Sequence, residues 1–343
     1  MARIVVAGAG AIGASVAYHL ALRGARDIVL CDRGEVAGGS TSKAMGGVRQ
    51  QFSTAAEVRL ARDSIRFFEE LGPPFFLQVG YVFLATTAQG LATLEHRAAE
   101  QRELGVPVER VDVPDGVRAD DVLGAFACAK DGVADPPAVT RELVRRTREL
   151  GVRVEEGIDA RELDRDVLVV AAGPWSAELD PRLPIRPLAR QLLETAPLDL
   201  PERLPMVVEA ETGFHFRRRG ERLVLAMPDA APRWGNDTTV DESVFADRLE
   251  RLSHRYPPAA LTRIENAWAG LYDMTPDAHP VIGRIADGVY AACGFSGHGF
   301  MQSPAVGRAL ADEILDGATD YDLSPYRLER FDAGAVVPEE VVL

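Results

Sequence analysis

Two spacings of apolar residues run along the first quarter of the chain. Residues 3–24, RIVVAGAGAIGASVAYHLALRG, open with an unbroken apolar run at Ile4–Ala7 and then shift to helical spacing. Ile12, Val16, Ala17 and Leu20 share one face of the predicted helix, and Gly24 ends it. DIVLCD, residues 27–32, predicts a second buried strand that stops at Asp32. Thr54-x-x-Glu57 reads as a capping box opening a helix to about residue 71, where Gly72-Pro73-Pro74 closes it. Further on, Pro136-Pro137 starts a helix that ends at Leu150-Gly151, and a strand at 152–154 follows. Residues 167–171 are continuously apolar, as a parallel strand buried on both faces must be. GYVFLATT and RLVLAMP predict strands, and residues 241–256 a helix with Phe245, Leu249, Leu252 and Tyr256 on one face. Near the end, Val289–Cys293 reads as a strand and residues 294–299 as a loop built for close backbone approach. Ser303 is expected to cap the next helix, with Pro304 at its first position and its end near residue 315.

At 343 residues the chain exceeds one ordinary domain, so two domains or one elaborated α/β unit is expected. The 47% apolar content supports a substantial core, and the net charge of −14 argues against a nucleic-acid partner. Lys43 and Lys130 are the only lysines; nearly all positive charge is arginine. Cys31, Cys128 and Cys293 form neither a CxxC pair nor a disulfide framework, which fits a reducing cytoplasm. No apolar run approaches the ~18 residues of a membrane span, and no metal site is expected.

The chemistry starts at Gly8-x-Gly10-x-x-Gly13. Glycines there let the chain turn tightly and approach a pyrophosphate, while the helix N-terminus offers free N–H groups and a positive dipole end. Asp32, 19 residues after Gly13, stands where a ribose needs an acceptor. This fingerprint alone does not separate NAD from FAD. The next stretch, RGEVAGGSTSKAMGGVRQQF, is strange in a simple nicotinamide dehydrogenase. Its glycines and hydroxyls form a long flexible loop rich in donors, suited to more phosphate and ring contacts.

The chain resembles the FAD-dependent amine and amino-acid oxidoreductases of the D-amino-acid oxidase superfamily, the branch holding sarcosine oxidase, glycine oxidase and proline dehydrogenase β subunits. The resemblance rests on residues 4–52, on GVADPPAVTRELVRRTRELGVRV, on DVLVVAAGPWS, and on AWAGLYDMTPDAHPVIG with VYAACGFSGHGFMQSPAVG. It implies an α/β fold: a Rossmann-like FAD-binding domain on a parallel sheet, and an α+β substrate domain on a mostly antiparallel one. The FAD domain would comprise residues 1–75, 131–180 and 262–330, the substrate domain 76–130 and 181–261, and residues 331–343 a loose tail.

The implied FAD contacts are Gly8, Gly10, Ala11, Ile12, Gly13, Asp32, Arg33, Gly39, Ser40, Thr41, Ser42, Gly46 and Gly47 on the N-terminal side. Ile158, Ala172, Gly173, Trp175 and Gly270 follow, then Gly294, Gly297, His298, Gly299, Phe300 and Met301, whose helix would aim its positive end at the flavin. Arg49 matches an arginine beside the flavin in sarcosine oxidase. His215 falls where relatives place a pocket-wall aromatic, and His298 reads as a flavin-contacting or structural residue rather than a general base. Arg49, His215 and His298 are thus the candidate catalytic set.

The sequence also departs from the family. Phe52 and Met301 stand where sarcosine oxidase grips the substrate carboxylate with an arginine and a lysine. Arg186, Arg190, Arg217 and Arg233 are candidate replacements. Neither lysine matches the one that activates oxygen, which leans the reading towards a dehydrogenase or slow oxidase. Gly270 replaces the cysteine of covalent attachment, so FAD is expected to bind non-covalently. Residues 155–166 are shorter than the hairpin that relatives place beside the adenine. The expected activity is oxidation of an amino-acid or amine C–N bond to an imine by hydride transfer to flavin N5, as on sarcosine, proline or glycine. O2 or another redox partner would take the electrons, in a homo- or hetero-oligomer. The alternative is a partner-dependent or non-catalytic flavoprotein subunit.

Overall fold

The protein is described from a computed structural model covering residues 2–334 and 336–343. A six-stranded sheet carries the N-terminal motif. Its order is Val281–Ala286, Val289–Cys293, Val167–Val170, β1 (Ile4–Ala7), β2 (Ile28–Asp32) and Arg153–Glu156. All neighbours pair in parallel except Val281–Ala286, which returns antiparallel on Val289–Cys293. In chain order this is a doubly wound sheet that reverses beside β1, and such sheets bind ligands at the strands' carboxyl ends at that point. Val5 and Val6 are fully buried, as strands covered on both faces require. Helix α1 (Ala11–Leu22) packs against the terminal helix Gly299–Asp316 so closely that a Cβ on Gly307 would meet Ser15 Oγ at 2.2 Å.

The second sheet has nine strands. Along it run Arg233–Trp234, Arg186–Thr195, Arg222–Ala226, His215–Arg219, Met206–Glu209, Tyr81–Ala85, Gly124–Cys128 and Val108–Val111. Among the described residues of this sheet, only Met206–Glu209 and Tyr81–Ala85 pair in parallel. Ile264–Met274 pairs along the whole of Arg186–Thr195, setting Arg190 opposite Gly270. Residues 264–274 therefore belong to this sheet by hydrogen bonding, although the sequence reading groups them with the nucleotide-binding pieces. A small third sheet joins β3 (Gly47–Val48) to Gly132–Ala134 and Phe76–Leu77.

Other expectations also change. The loop after β2 is partly ordered as helix α2 (Ser40–Lys43) and β3, and Ser40 Oγ donates to the Leu271 carbonyl at 2.7 Å. The terminal helix starts at Gly299 with His298 as N-cap, so Ser303 and Pro304 lie inside it. Pro304 lacks the N–H that would bond the Phe300 carbonyl; the Ser303 hydroxyl takes that carbonyl at 2.9 Å. Nor are residues 339–343 loose. Glu339 and Val341 are buried, and the Glu339 carboxylate accepts from the Ser53 amide at 2.9 Å and the Thr54 hydroxyl.

Candidate active site

Between the two large sheets lies a cavity of about 590 Å³, well inside the ~300–1,000 Å³ of small-molecule and cofactor sites. Both glycine clusters open onto it. On one side stand Gly8, Gly10, Ala11 and Ile12 at the turn from β1 into α1, with Asp32 and Arg33 at the end of β2. Gly39, Ser40, Thr41, Gly46, Gly47 and Arg49 follow along the next stretch. Ile158, Ala172, Gly173 and Trp175 continue the wall. Gly270, Gly297, His298, Gly299, Phe300 and Met301 form the opposite end, with His215 on the wall.

Three expected contacts lie off the wall. Gly13 lies in the first turn of α1, where a Cβ would stand 1.8 Å from the Gly8 carbonyl oxygen, so its missing side chain serves the packing of the helix on the turn after β1. Ser42 turns its hydroxyl to the Gly38 and Gly39 carbonyls at 2.8 Å. Gly294 sits below the loop, its N–H donated to Asp273 at 2.7 Å.

The wall's polar groups suit an anionic, ring-bearing ligand. Gly10 caps α1 and His298 caps the terminal helix, neither with a hydrogen bond from its own side chain, so two helix N-termini face one cavity. Thr41 Oγ1 accepts from the Ala11 amide at 3.1 Å and ties the second segment over the first turn of α1. The Asp32 carboxylate is held by the Ala9 and Gly34 amides at 2.7 and 2.8 Å, which fixes it at the strand end as an acceptor. Ile158 is fixed there too, its amide donating to the Asp32 carbonyl at 2.9 Å. At the far end, Ser296 and Gly297 take positive φ of 51° and 100°, and a Cβ on Gly297 would meet the Tyr272 ring at 2.3 Å. Only bare backbone fits between that ring and the cavity.

Arg49 is buried, its guanidinium 3.9 Å above the Phe52 ring. It donates to the Gln51 carbonyl and, at 2.6 Å, to the Val341 carbonyl, while its Nε has no partner. Burial pushes this guanidinium below its ordinary pKa. Arg190, one of four candidate replacements, also lines the cavity with Nε buried and unpartnered. Among the described residues neither arginine joins an ion pair. The other candidates lie off the cavity wall: Arg186 stacks on Trp234, Arg217 donates to the Met45 carbonyl, and Arg233 donates to the Thr239 carbonyl while its Nε and Nη2 are buried without a partner. His215 is pushed down to about 4, chiefly by burial, with Arg49 and Arg190 adding to it, so it is neutral near pH 7.

Sequence reasoning missed several wall residues. Tyr81 and Met206 come from the large sheet, Tyr272 from Ile264–Met274, and Lys43 from α2. Val341, Val342 and Leu343 arrive from the segment that the sequence alone reads as a tail, and the Tyr272 hydroxyl donates to a main-chain oxygen of Leu343 at 2.7 Å. Strand periodicity could have pointed to Tyr272. Nothing local marks the other contacts, because they depend on where distant strands pair.

The chain is similar to known proteins. FAD-dependent oxidoreductase domain-containing protein 1 of Bos taurus is 27% identical over 99% of this chain and 87% of that protein. Glycine oxidase of Geobacillus kaustophilus is 24% identical over 95% and 96%. The crystal structure of L-proline dehydrogenase from P. horikoshii superposes with a TM-score of 0.90 at 26% identity, over 97% of this chain and 98% of that one. Among the described residues no helix is long and apolar enough to cross a membrane. Residues 3–313 match the DAO family of FAD dependent oxidoreductases, and the chain belongs to that family.

Proposed function

We propose that this protein oxidises the C–N bond of a small amino acid or amine carrying a carboxylate, using FAD held without a covalent link. One observation carries the reading: Arg49, buried, and Arg190, partly buried, both stand on the cavity wall with Nε unpartnered, and among the described residues neither pairs with a carboxylate. A buried charge without a counter-ion is costly, so the site favours a ligand that brings one. The Gly8–Gly13 turn and Asp32 would hold the dinucleotide, and the Gly297–Phe300 turn would meet the ring system. FAD held there would supply the redox chemistry, that of a hydride acceptor for the carbon beside nitrogen.

The protein's part is to place the substrate and exclude water. The arginines would grip the carboxylate, and Tyr81, Met206, Met301 and Val341 would cover the substrate with apolar surface. A histidine neutral down to about pH 4 is a poor base, so His215 serves as an uncharged wall rather than a proton acceptor. Cys31 is the cysteine on the cavity wall. Its thiol donates to the Val6 carbonyl at 3.6 Å and burial pushes it up to about 11, which supports non-covalent attachment. Three buried free cysteines also suit a reducing compartment such as the cytoplasm.

The test is an anaerobic panel of sarcosine, proline, glycine and D-amino acids added to the yellow protein. Bleaching by one of them is the expected result, and readmitted air then separates oxidase from dehydrogenase. A panel in which nothing bleaches the flavin would contradict this reading and leave the partner-dependent subunit.

A further inference from the structure

Behind the first turn of the terminal helix lies a buried polar group that gripping a carboxylate does not use. Glu57 has 0% exposure and is the third residue of helix α3 (Ala55–Leu71). Its carboxylate does not return to its own helix N-terminus as a capping box would have it; Glu339 takes the Ser53 amide and Thr54 hydroxyl instead. The carboxylate turns inward. His279 Nδ1 lies 2.6 Å from Oε1, and Gln302 Nε2 donates to Oε2. The amide oxygen of Gln302 stands 2.9 Å from His298 Nδ1, and His298 Nε2 stands 3.1 Å from the Ala278 carbonyl oxygen.

Hydrogen-bond logic then fixes the proton count. An ionised carboxylate only accepts, so Gln302 must show it the amino group and therefore show His298 its oxygen. The Ala278 carbonyl also only accepts. Both ring nitrogens of His298 thus face acceptors, and only the imidazolium satisfies both in a site this dry. Glu57 Oε2, 3.7 Å from His298 Nδ1, supplies the counter-charge. Burial alone would raise the Glu57 carboxyl, but the two histidines outweigh it and the net shift is downward, which keeps the carboxylate charged.

We propose that Glu57 is a positioning residue that, through Gln302, holds His298 as an imidazolium at the N-cap of the terminal helix, where its charge raises the reduction potential of the bound flavin. The proposal rests on the FAD reading above. A fixed positive charge joins the helix dipole at the same end of the cavity, and added electrons are stabilised there. His279 shares the carboxylate but does not line the cavity, so it balances charge from behind.

The experiment measures the flavin midpoint potential of the purified holoenzyme anaerobically against dyes of known potential. The variants are Glu57→Gln, His298→Gln and the double variant, with FAD content checked in each. The expected result is that both single variants shift the reduction equilibrium at least about tenfold towards oxidised flavin, about 30 mV for a two-electron couple. The double variant should add little. If Glu57→Gln does not fold, Gln302→Met leaves the Glu57–His279 contact in place and should lower the potential in the same direction. Flavin-loaded variants with unchanged potential overturn the proposal alone. Wild-type protein that takes up no FAD overturns the FAD reading and this proposal with it.

Discussion

Arg190 reaches the cavity from Arg186–Thr195 with its Nε unpartnered, and Arg49 spends two donors on carbonyls and none on a carboxylate. Removing one partner of a desolvated charge pair costs about 2–5 kcal/mol. Arg190→Gln should therefore raise KM for a carboxylate-bearing substrate by roughly a hundredfold while FAD content stays unchanged. Steady-state kinetics checks it, and an unchanged KM would show that the carboxylate is gripped elsewhere. His215 gives a pH prediction. Its folded pKa of about 4 lies below the ordinary 6.5, so the unfolded chain binds the extra proton first as pH falls. The stability it contributes is fully present above pH 6.5 and is lost as pH drops towards 4, by about 3 kcal/mol at most. His215→Asn should flatten urea stability curves across that window, and an identical slope in the variant would refute the assignment.

Elements were legible from sequence where local pattern decides them. β1, α1 and β2 follow from apolar spacing and the glycine turn, and the helix Pro136–Glu149 from its paired prolines. The terminal helix misled because Pro304 fits a first helical position so well. Tertiary partners repair the break: Ser303 takes the carbonyl that Pro304 leaves, and Ser64 Oγ accepts the Ala305 amide at 3.1 Å. The helix therefore begins at Gly299, which brings His298 to the cavity rather than leaving it mid-loop. Glu57 looked like half of a capping box for a similar reason, since the residues that claim it lie more than two hundred positions away. Two outcomes test these elements. Gly13→Ala drives a Cβ into the Gly8 carbonyl, and overpacking of that kind costs about 1–3 kcal/mol, so melting should drop and FAD retention fall together. Glu339→Ala removes the acceptor at the start of α3 and should cost about 1–2 kcal/mol, a cap-sized loss readable by denaturant unfolding. A variant as stable as wild type would mean the 339–343 segment does not hold that helix.

Across the molecule, both glycine clusters meet because the sheet containing β1 draws strands from each end of the chain. Val167–Val170 lies between β1 and Val289–Cys293, and the loops after these strands open onto the cavity. Sequence alone supplied the two halves and their chemistry. It could not supply the long pairing that lays Ile264–Met274 along Arg186–Thr195, and that pairing sets Arg190 opposite Gly270. Nor could it place residues 341–343 on the wall.

The central claim is that both clusters hold a single FAD by main chain, without a covalent bond. Denaturing the purified protein and counting flavin against chain tests it most directly. The account predicts one FAD per chain, all of it released into the supernatant. Colourless protein that takes up no added FAD would contradict it, as would flavin that stays with the precipitated chain.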